Sequence, residues 1–416
     1  MLLAKDKDWT FLALLAAAFC MGFTLPAGRL FMLAAAVGLV VDVGRRRRSL
    51  RMPASGWLWL ALVALAYGVT ACGVNPEKGL GKLNKLIWFM GIPVAASLVD
   101  SRERLWQVLR ALLLGVFVLA VRVCIRNPIG AQAIVARFEK TRQAAAFTFG
   151  QELIHQGSLV DGQRLMIGLV GAVALVMGSL ALARAGTRRF EVVLRPDRSP
   201  AGDAGGWRFA FPPWPIMIGG LALAEIIVLK RGSWLSTLAV LGALLARRVS
   251  WKWLALGVLI LLGVAVGVAP VRQRLMHIKT ECRADSGGRL AMWTRVAPHL
   301  LRQYPQGIGF RAMTSERMRA IDPRIEPDRD HLHSNLVEMA VSLGWAGLAL
   351  YLVWMGFLFR DAWQADAAPS PLFWMLLALF LNGWVEYNFA DGEIVLLYGL
   401  LGGLAAAGRR LRPQAG

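Results

Sequence analysis

The chain has 416 residues, 56% of them hydrophobic, and a mean hydropathy of +0.51. Apolar runs of roughly 15–23 residues recur along nearly its whole length, which excludes a water-soluble globular protein and predicts an all-α polytopic membrane protein. Its net charge of +21, from 47 Lys and Arg against 26 Asp and Glu, is by itself accounted for by cytoplasmic anchoring to anionic lipid heads; its distribution asks for more.

In chain order the runs lie near 9–25, 28–43, 56–74, 84–99, 105–122, 165–184, 213–230, 233–247, 252–269, 336–359, 371–388 and 393–408. About twelve transmembrane helices are expected. Met1–Phe23 has no small-residue cleavage site and the second run follows within a few residues, so the first run is read as a span and not a signal peptide. Arg45–Arg48 with Arg51, Arg102 and Arg104, Arg184 with Arg188 and Arg189, Arg247 and Arg248 with Lys252, Arg360, and Arg409, Arg410 and Arg412 then share one side. The positive-inside rule makes that side cytoplasmic, with both termini inside. No repeat and no separately folding soluble domain is visible. The expectation is a single transmembrane domain, 1–416, with outer loops at 123–164 and 270–335.

Those loops break the charge rule. Arg122–Arg164 carries six basic and three acidic residues, and Val271–Asn335 carries twelve basic and seven acidic, although outer loops need no cations. Nucleic acid is excluded as a partner by the absence of an aromatic and basic single-strand platform or a reading helix. A phosphorylated, lipid-borne substrate suits the arginines, because guanidinium binds phosphate oxygens bidentately and stays charged. Lipid-head contact is the plain alternative for any single arginine.

The four cysteines, Cys20, Cys72, Cys124 and Cys282, lack paired C-x-x-C spacing, and no metal site is read from them. They fall near the outer face, where a disulfide is permitted; buried or free thiols are the expectation. All five histidines lie in the two outer loops, and His155, His277 and His299 read as solvated loop residues.

Within the second outer loop, "GGRLAMWTRVAPHLLRQYPQGIGF" (287–310) sets Leu290, Met292, Trp293, Val296, Ala297, Leu300 and Leu301 at helical spacing. This predicts an amphipathic helix that opens after Gly288, stops near Pro305 and lies over the membrane, with Arg289 and Trp293 on one face. A turn at "YPQGIGF" and a short second helix near Arg311–Ala320 follow. In "RDHLHSNLVEMAVSLGWAG" (329–347), Ser334 or Asn335 can cap the next span. His333 would then sit beside the positive end of the helix dipole and be held neutral. Gly344 and Gly347, one turn apart, are read as a place where a neighbouring helix approaches closely. Glu338 is one turn past His333 and can pair with an arginine. Arg231, in Lys230–Arg231–Gly232, can snorkel to lipid or turn into the outer cavity.

His333, Ser334, nine residues, Gly344, two residues and Gly347 match the His-[Asn/Ser/Gln]-x9-Gly-x2-Gly signature of the O-antigen ligase, O-antigen polymerase and protein O-oligosaccharyltransferase superfamily. "LKRGSWL" (229–235) resembles its Ser-Arg-Gly element, with Lys230 in place of Ser. "GGRLAMW" (287–293) resembles its Arg-x3-Trp element and "YPQGIGF" (304–310) its Pro-x-Gly-x-Gly turn. The elements are in the family's order and cover the second half of the chain.

The resemblance implies a GT-C-like fold with a long helical periplasmic loop between spans 9 and 10. It implies a glycosyltransferase of the bacterial inner membrane, active at the periplasmic face. The donor would be an undecaprenyl-diphosphate-linked glycan and the acceptor lipid A-core, with no metal and no cofactor. A carrier-linked glycan (polymerase) or a protein serine (protein transferase) are the alternative acceptors, and a transporter of a lipid-linked anion is the reading from another class. The catalytic residues would be His333, Arg289 and Arg231, with Arg142, Arg164, Trp293 and His331 in substrate binding. His333 would act as general base or hold a phosphate or sugar in place.

Overall fold

The computed structural model describes residues 8–141, 159–184, 213–228, 230–246, 249–267, 272, 275–276, 287–325, 327, 329–365, 370–389 and 391–412. Among them all regular structure is helical. In chain order the helices are α1 (Trp9–Met21), α2 (Leu25–Gly44), α3 (Ala54–Ala71), α4 (Pro76–Leu83), α5 (Gly91–Leu98), α6 (Arg102–Thr141), α7 (Leu159–Arg184), α8 (Trp214–Ile227), α9 (Arg231–Ala246) and α10 (Trp251–Gly267). After the second loop come α11 (Arg289–Ala291, Met292–Val296 and Ala297–Gln303 as one run), α12 (Ser315–Ile321), α13 (Asn335–Gln364), α14 (Pro371–Val385) and α15 (Gly392–Arg410).

Each apolar run is helical over most of its described residues. Six helices are long and apolar enough to cross a membrane: α2, α3, α6 over Arg102–Arg126, α7 over Asp161–Gly178, α13 and α15; α1, α8, α9 and α14 are shorter apolar helices. The run at 84–99 is divided, with a 3-10 helix over Asn84–Met90 leading into α5. Seven residues of 3-10 helix and eight of α-helix extend about 26 Å together, more than an α-helix of the same length would. Helix α4 was not foreseen. Its signal is Asn75–Pro76: the Asn75 side chain accepts from the Lys78 amide, and Pro76 occupies the first turn, where its missing N–H has no helical use.

Two polar ends bound the bundle. At one, Arg48 pairs with Asp8 and Asp42, Arg104 with Asp8 (2.9 Å) and Asp100 (3.1 Å), and Arg409 and Arg360 share the buried Asp361 at 2.8 and 3.0 Å. Arg410 donates to the carbonyls of Ala96 and Val99. These are arginines that the charge pattern assigns to the cytoplasmic side. The opposite end gathers the start of α7, α9, α13 and α15, the end of α14 and the loop bearing α11 and α12.

Helix α11 begins after Gly288 and ends at Gln303, as its periodicity predicts. Its face packs into protein: Met292, Val296, Ala297 and Leu300 join Ile308, Met313, Met318, Leu332 and Val341 in a second apolar cluster. Met292–Val296 is a π-helical turn, which widens the helix directly after the Arg289–Ala291 turn.

The Gly344 expectation is corrected. Gly344 has φ +71 and interrupts α13, and the vacated backbone groups are taken by the 304–310 turn and not by a neighbouring helix. The amides of Ile308 and Gly309 donate to the carbonyls of Val341 (3.0 Å) and Ser342 (2.9 Å). A Cβ on Gly344 would lie 2.5 Å from the Pro305 oxygen and the Gln306 carbonyl carbon. Gly347 packs against Leu343 of its own helix. The other side of the turn rests on α3: Thr70 Oγ1 accepts from the Phe310 amide at 2.9 Å, and Val74 N–H donates to Ile308 O at 2.9 Å.

Gly344→Ala should therefore both strain the backbone, by about 1–3 kcal/mol, and push the turn away. Gly356→Ala, further along α13 with nothing within 4 Å of its would-be Cβ, should be neutral or slightly stabilising. Thermal unfolding of the two variants in detergent checks this, the expectation being a drop of several degrees for Gly344→Ala alone.

Candidate functional site

Ser334 caps α13, accepting from the Val337 amide at 3.5 Å, as one of the two expected caps. Asn335 does something else. Its side-chain oxygen accepts from the amides of Asn388 (3.0 Å) and Phe389 (3.1 Å), while its Nδ2 donates to Asn388 Oδ1 at 2.6 Å. Asn388 in turn donates to Asn382 Oδ1, which also accepts from Gln163 at 2.8 Å. This buried amide chain ties the start of α13 to the end of α14 and to α7.

The loop before the cap is held tightly. Glu338, fully buried, accepts from the Leu332 amide (2.9 Å) and from Ser342 Oγ (3.2 Å), so it organises the loop, and it also feels the charge of Arg311. Trp293 Nε1 donates to the Leu332 carbonyl at 2.7 Å. With Leu332 pinned at both its amide and its carbonyl, His333 is forced to φ +53. That conformation is uncommon for a non-glycine residue, although histidine tolerates it better than most.

His333 is 7% exposed, and its ring lies 4.1 Å from that of His331. Its Nε2 faces Arg329 Nη1 at 2.9 Å. Arginine only donates, so Nε2 accepts; in the neutral ring the proton is then assigned to Nδ1. Nδ1 points towards Glu386 Oε2 at 3.9 Å, an electrostatic pair and too long for a hydrogen bond. Burial lowers the His333 pKa below the ordinary imidazole range, helped by the charges of His331 and Arg289, while Glu386 opposes the shift. The neutral state is therefore as expected from sequence, but burial leads its causes.

Glu386 is the residue that sequence reasoning missed. The run 371–388 reads as one span, but α14 ends at Val385, and Glu386 is extended (φ −138, ψ 143) with its carboxylate turned into the site. Its Oε1 accepts from Arg289 Nη2 at 2.8 Å, and Arg289 Nη1 donates to the Val385 carbonyl. Burial would raise its pKa; the nearby His333 and the charge and hydrogen bond of Arg289 outweigh burial and hold the carboxyl down to about 2. Gly232, beside Arg231, makes room for this carboxylate: a Cβ there would lie 2.9 Å from Glu386 Cγ and 3.3 Å from Asn382 Nδ2. The Arg-Gly element thus packs directly on the Arg289–Glu386 pair, with Arg231 buried at the first turn of α9.

His331 Nδ1 is 2.8 Å from Asp330 Oδ1, and that hydrogen bond leads the causes holding Asp330 at about 2. Arg164 is buried and sits 3.6 Å from Asp161 and 3.8 Å from Glu393, at the start of α15. Arg142, His155, His277 and Cys282 lie outside the described residues. Cys20, Cys72 and Cys124 are free thiols. Among the described residues no three His, Cys, Asp or Glu side chains are grouped so as to hold a metal ion.

This geometry brings together Arg231, Arg289, Trp293, His331 and His333. The model of the family described as O-Antigen ligase matches residues 216–352. That region belongs to the O-antigen ligase family. Together with the apolar helices, the match makes the chain a multi-pass membrane protein with an O-antigen ligase or polymerase-like, glycosyl-transferring region. The match runs from α8 into α13 and so contains all five residues, but stops short of Glu386. No curated protein matches the chain.

Glu386 is the anion that raises the His333 pKa, so replacing it by glutamine should lower that pKa further. An ¹⁵N-imidazole titration in detergent should find His333 titrating below about 6.5 in the native protein and lower still in Glu386→Gln. An unchanged or raised pKa in the variant would mean that the 3.9 Å pair carries no coupling.

Proposed function

We propose that the chain joins a glycan carried on undecaprenyl diphosphate to a hydroxyl of lipid A-core, at the periplasmic face of the inner membrane and without a metal ion. The bundle is read as GT-C-like, with twelve spans. What supports the reading is the Glu386 carboxylate set between Arg289 and His333, which fixes a cation and a neutral base in one buried cleft.

The acceptor hydroxyl oxygen attacks the anomeric carbon while the bond from that carbon to the diphosphate oxygen breaks. The hydroxyl proton passes to His333 Nε2, the basic nitrogen, where the hydroxyl takes the place of the Arg329 N–H. Negative charge grows on the leaving diphosphate, and Arg289 and Arg231 meet it; donors fixed in advance in a dry site do this without reorganising. Arg289 is oriented by Glu386 and the Val385 carbonyl, and its planar fork matches two phosphate oxygens. Trp293 and His331 hold the base's loop, and Arg164 and Arg142 are further phosphate contacts. The surplus of outer arginine favours lipid A-core over a protein acceptor, because the core glycolipid brings phosphates of its own.

Reconstitution with carrier-linked glycan and lipid A-core, the joined product scored on a gel, tests this directly. His333→Ala should lose about 10²–10⁴-fold in rate with normal membrane insertion, whereas His331→Ala keeps a substantial part of the activity. The reverse order would place the base at the wrong histidine. Arg289→Lys keeps the charge but loses the fork, so most transfer should disappear. Exhaustive EDTA should leave the native rate unchanged; loss restored by magnesium or manganese would transfer the role of the arginines to an ion.

A further inference from the structure

A second group of cations lies beyond Tyr387 and takes no part in the centre just described. Arg311, at φ +53 directly after the 304–310 turn, lays its guanidinium over the Tyr387 ring at 5.2 Å and faces Asp391 at 3.7 Å. Arg29, in the second turn of α2, stacks on Trp88 at 5.0 Å and lies against Gly392, where a side chain would displace it. Lys85, on the 3-10 helix, is close enough to feel the charges of Arg311, Asp391 and Arg29. Arg164, already paired with Asp161, borders the group through Glu393.

Arg29, Lys85 and Arg311 thus gather around Asp391 and Glu393. The Nε atoms of Arg29 and Arg311 are buried and have no acceptor among the described residues. Four separate segments converge to place these groups: the start of α2, the 3-10 helix, the residue after the turn and the start of α15. A lipid-snorkelling arginine needs no such construction, since it follows its own stem to the surface. Buried donors without acceptors are costly and mark a place for an anion.

We propose that Arg29, Lys85 and Arg311 form a second anion site, which takes a phosphate monoester on the acceptor glycolipid. A phosphate monoester suits it, because its three acceptor oxygens and charge of about −1.5 to −2 at neutral pH can meet the two buried Nε donors that lack acceptors. The site is joined to the base by aromatic contact: Tyr387 lies 5.9 Å from the His331 ring, which lies 4.1 Å from His333. A glycolipid anchored by its phosphate at Arg311 would present sugar hydroxyls towards His333. The assignment rests on the ligase reading for its choice of glycolipid, and the test separates the two.

The full chain is placed in phosphatidylcholine nanodiscs with lipid A-core, with the same glycolipid after phosphatase treatment, or with phosphatidylglycerol. Thermal unfolding reads binding and initial rates read transfer. Lipid A-core should raise the unfolding temperature, and the phosphatase-treated glycolipid and phosphatidylglycerol should raise it little. Lys85→Gln and Arg29→Gln should each remove most of that rise. Each should increase KM for the phosphorylated acceptor about tenfold, as for one lost charge-assisted hydrogen bond, with kcat and the KM for the dephosphorylated acceptor nearly unchanged. Lys85→Arg should restore the native KM.

A stabilisation that the substitutions do not touch, one matched by phosphatidylglycerol, or KM changes equal for both acceptors would each overturn the second site while leaving transfer intact. Lys85-dependent stabilisation by lipid A-core in a native protein that transfers nothing would keep the site and overturn the ligase reading.

Discussion

A carboxylate almost out of reach of water, Glu386, sets the terms for the outer end of this protein. Burying an ionised group costs several kcal/mol unless cations and hydrogen bonds compensate it. Here the compensation comes from Arg289, 97 residues earlier, and from the neighbourhood of His333. The consequence is mutual dependence. If α11 moved, Glu386 would lose its hydrogen-bonded cation; if α14 continued one more turn, the carboxylate would leave the cleft and Arg289 would face His333 as an uncompensated charge. The glycine beside Arg231 belongs to the same constraint, because any side chain there would collide with the Glu386 stem.

The break at Gly344 solves a second difficulty. A loop carrying reactive groups must be fixed to the bundle, yet loops bring backbone polar groups that cannot be left unpaired near lipid. The 304–310 turn and the interrupted turn of α13 satisfy each other, and Thr70 of α3 and Val74 just after that helix complete the seat. Two glycine-bearing motifs that look independent in the sequence are therefore two halves of one joint, and the Gly344 half lies in the helix that Ser334 caps next to His333.

The helices were legible because apolar length is a strong signal and because capping chemistry is local: Gly288 before α11 and Ser334 before α13 both act where the residues suggest. Three things were not. Glu386 hid inside the apolar run 371–388, since hydropathy does not register where a helix stops, and only the partner 97 residues away makes stopping there favourable. Gly344 and Gly347 sit at the spacing of a helix-packing face, and a positive φ leaves no mark in composition. The cations Arg29, Lys85 and Arg311 come from segments with no motif between them, so only the fold could gather them. Asn75–Pro76 is a different case: the cap signal for α4 is present, and a search for spans alone passes over it.

The two ends of the bundle use charge in opposite ways. At the end that the sequence assigns to the cytoplasm, Asp8, Asp42, Asp100 and Asp361 and the carbonyls ending α5 take up the arginines, and the result is a closed belt. At the other end Arg29, Lys85, Arg164, Arg289 and Arg311 are gathered with the carboxylates Asp161, Glu338, Glu386, Asp391 and Glu393, and the buried Nε atoms of Arg29 and Arg311 have no acceptor among the described residues. Cations held together away from water repel one another with little screening, and a diphosphate or phosphate ester relieves that repulsion on arrival. A divalent cation in the same cleft would add to it. On the ligase reading, arginines are thus gathered where the leaving group forms, and guanidinium serves there because it keeps its charge under burial that discharges other bases.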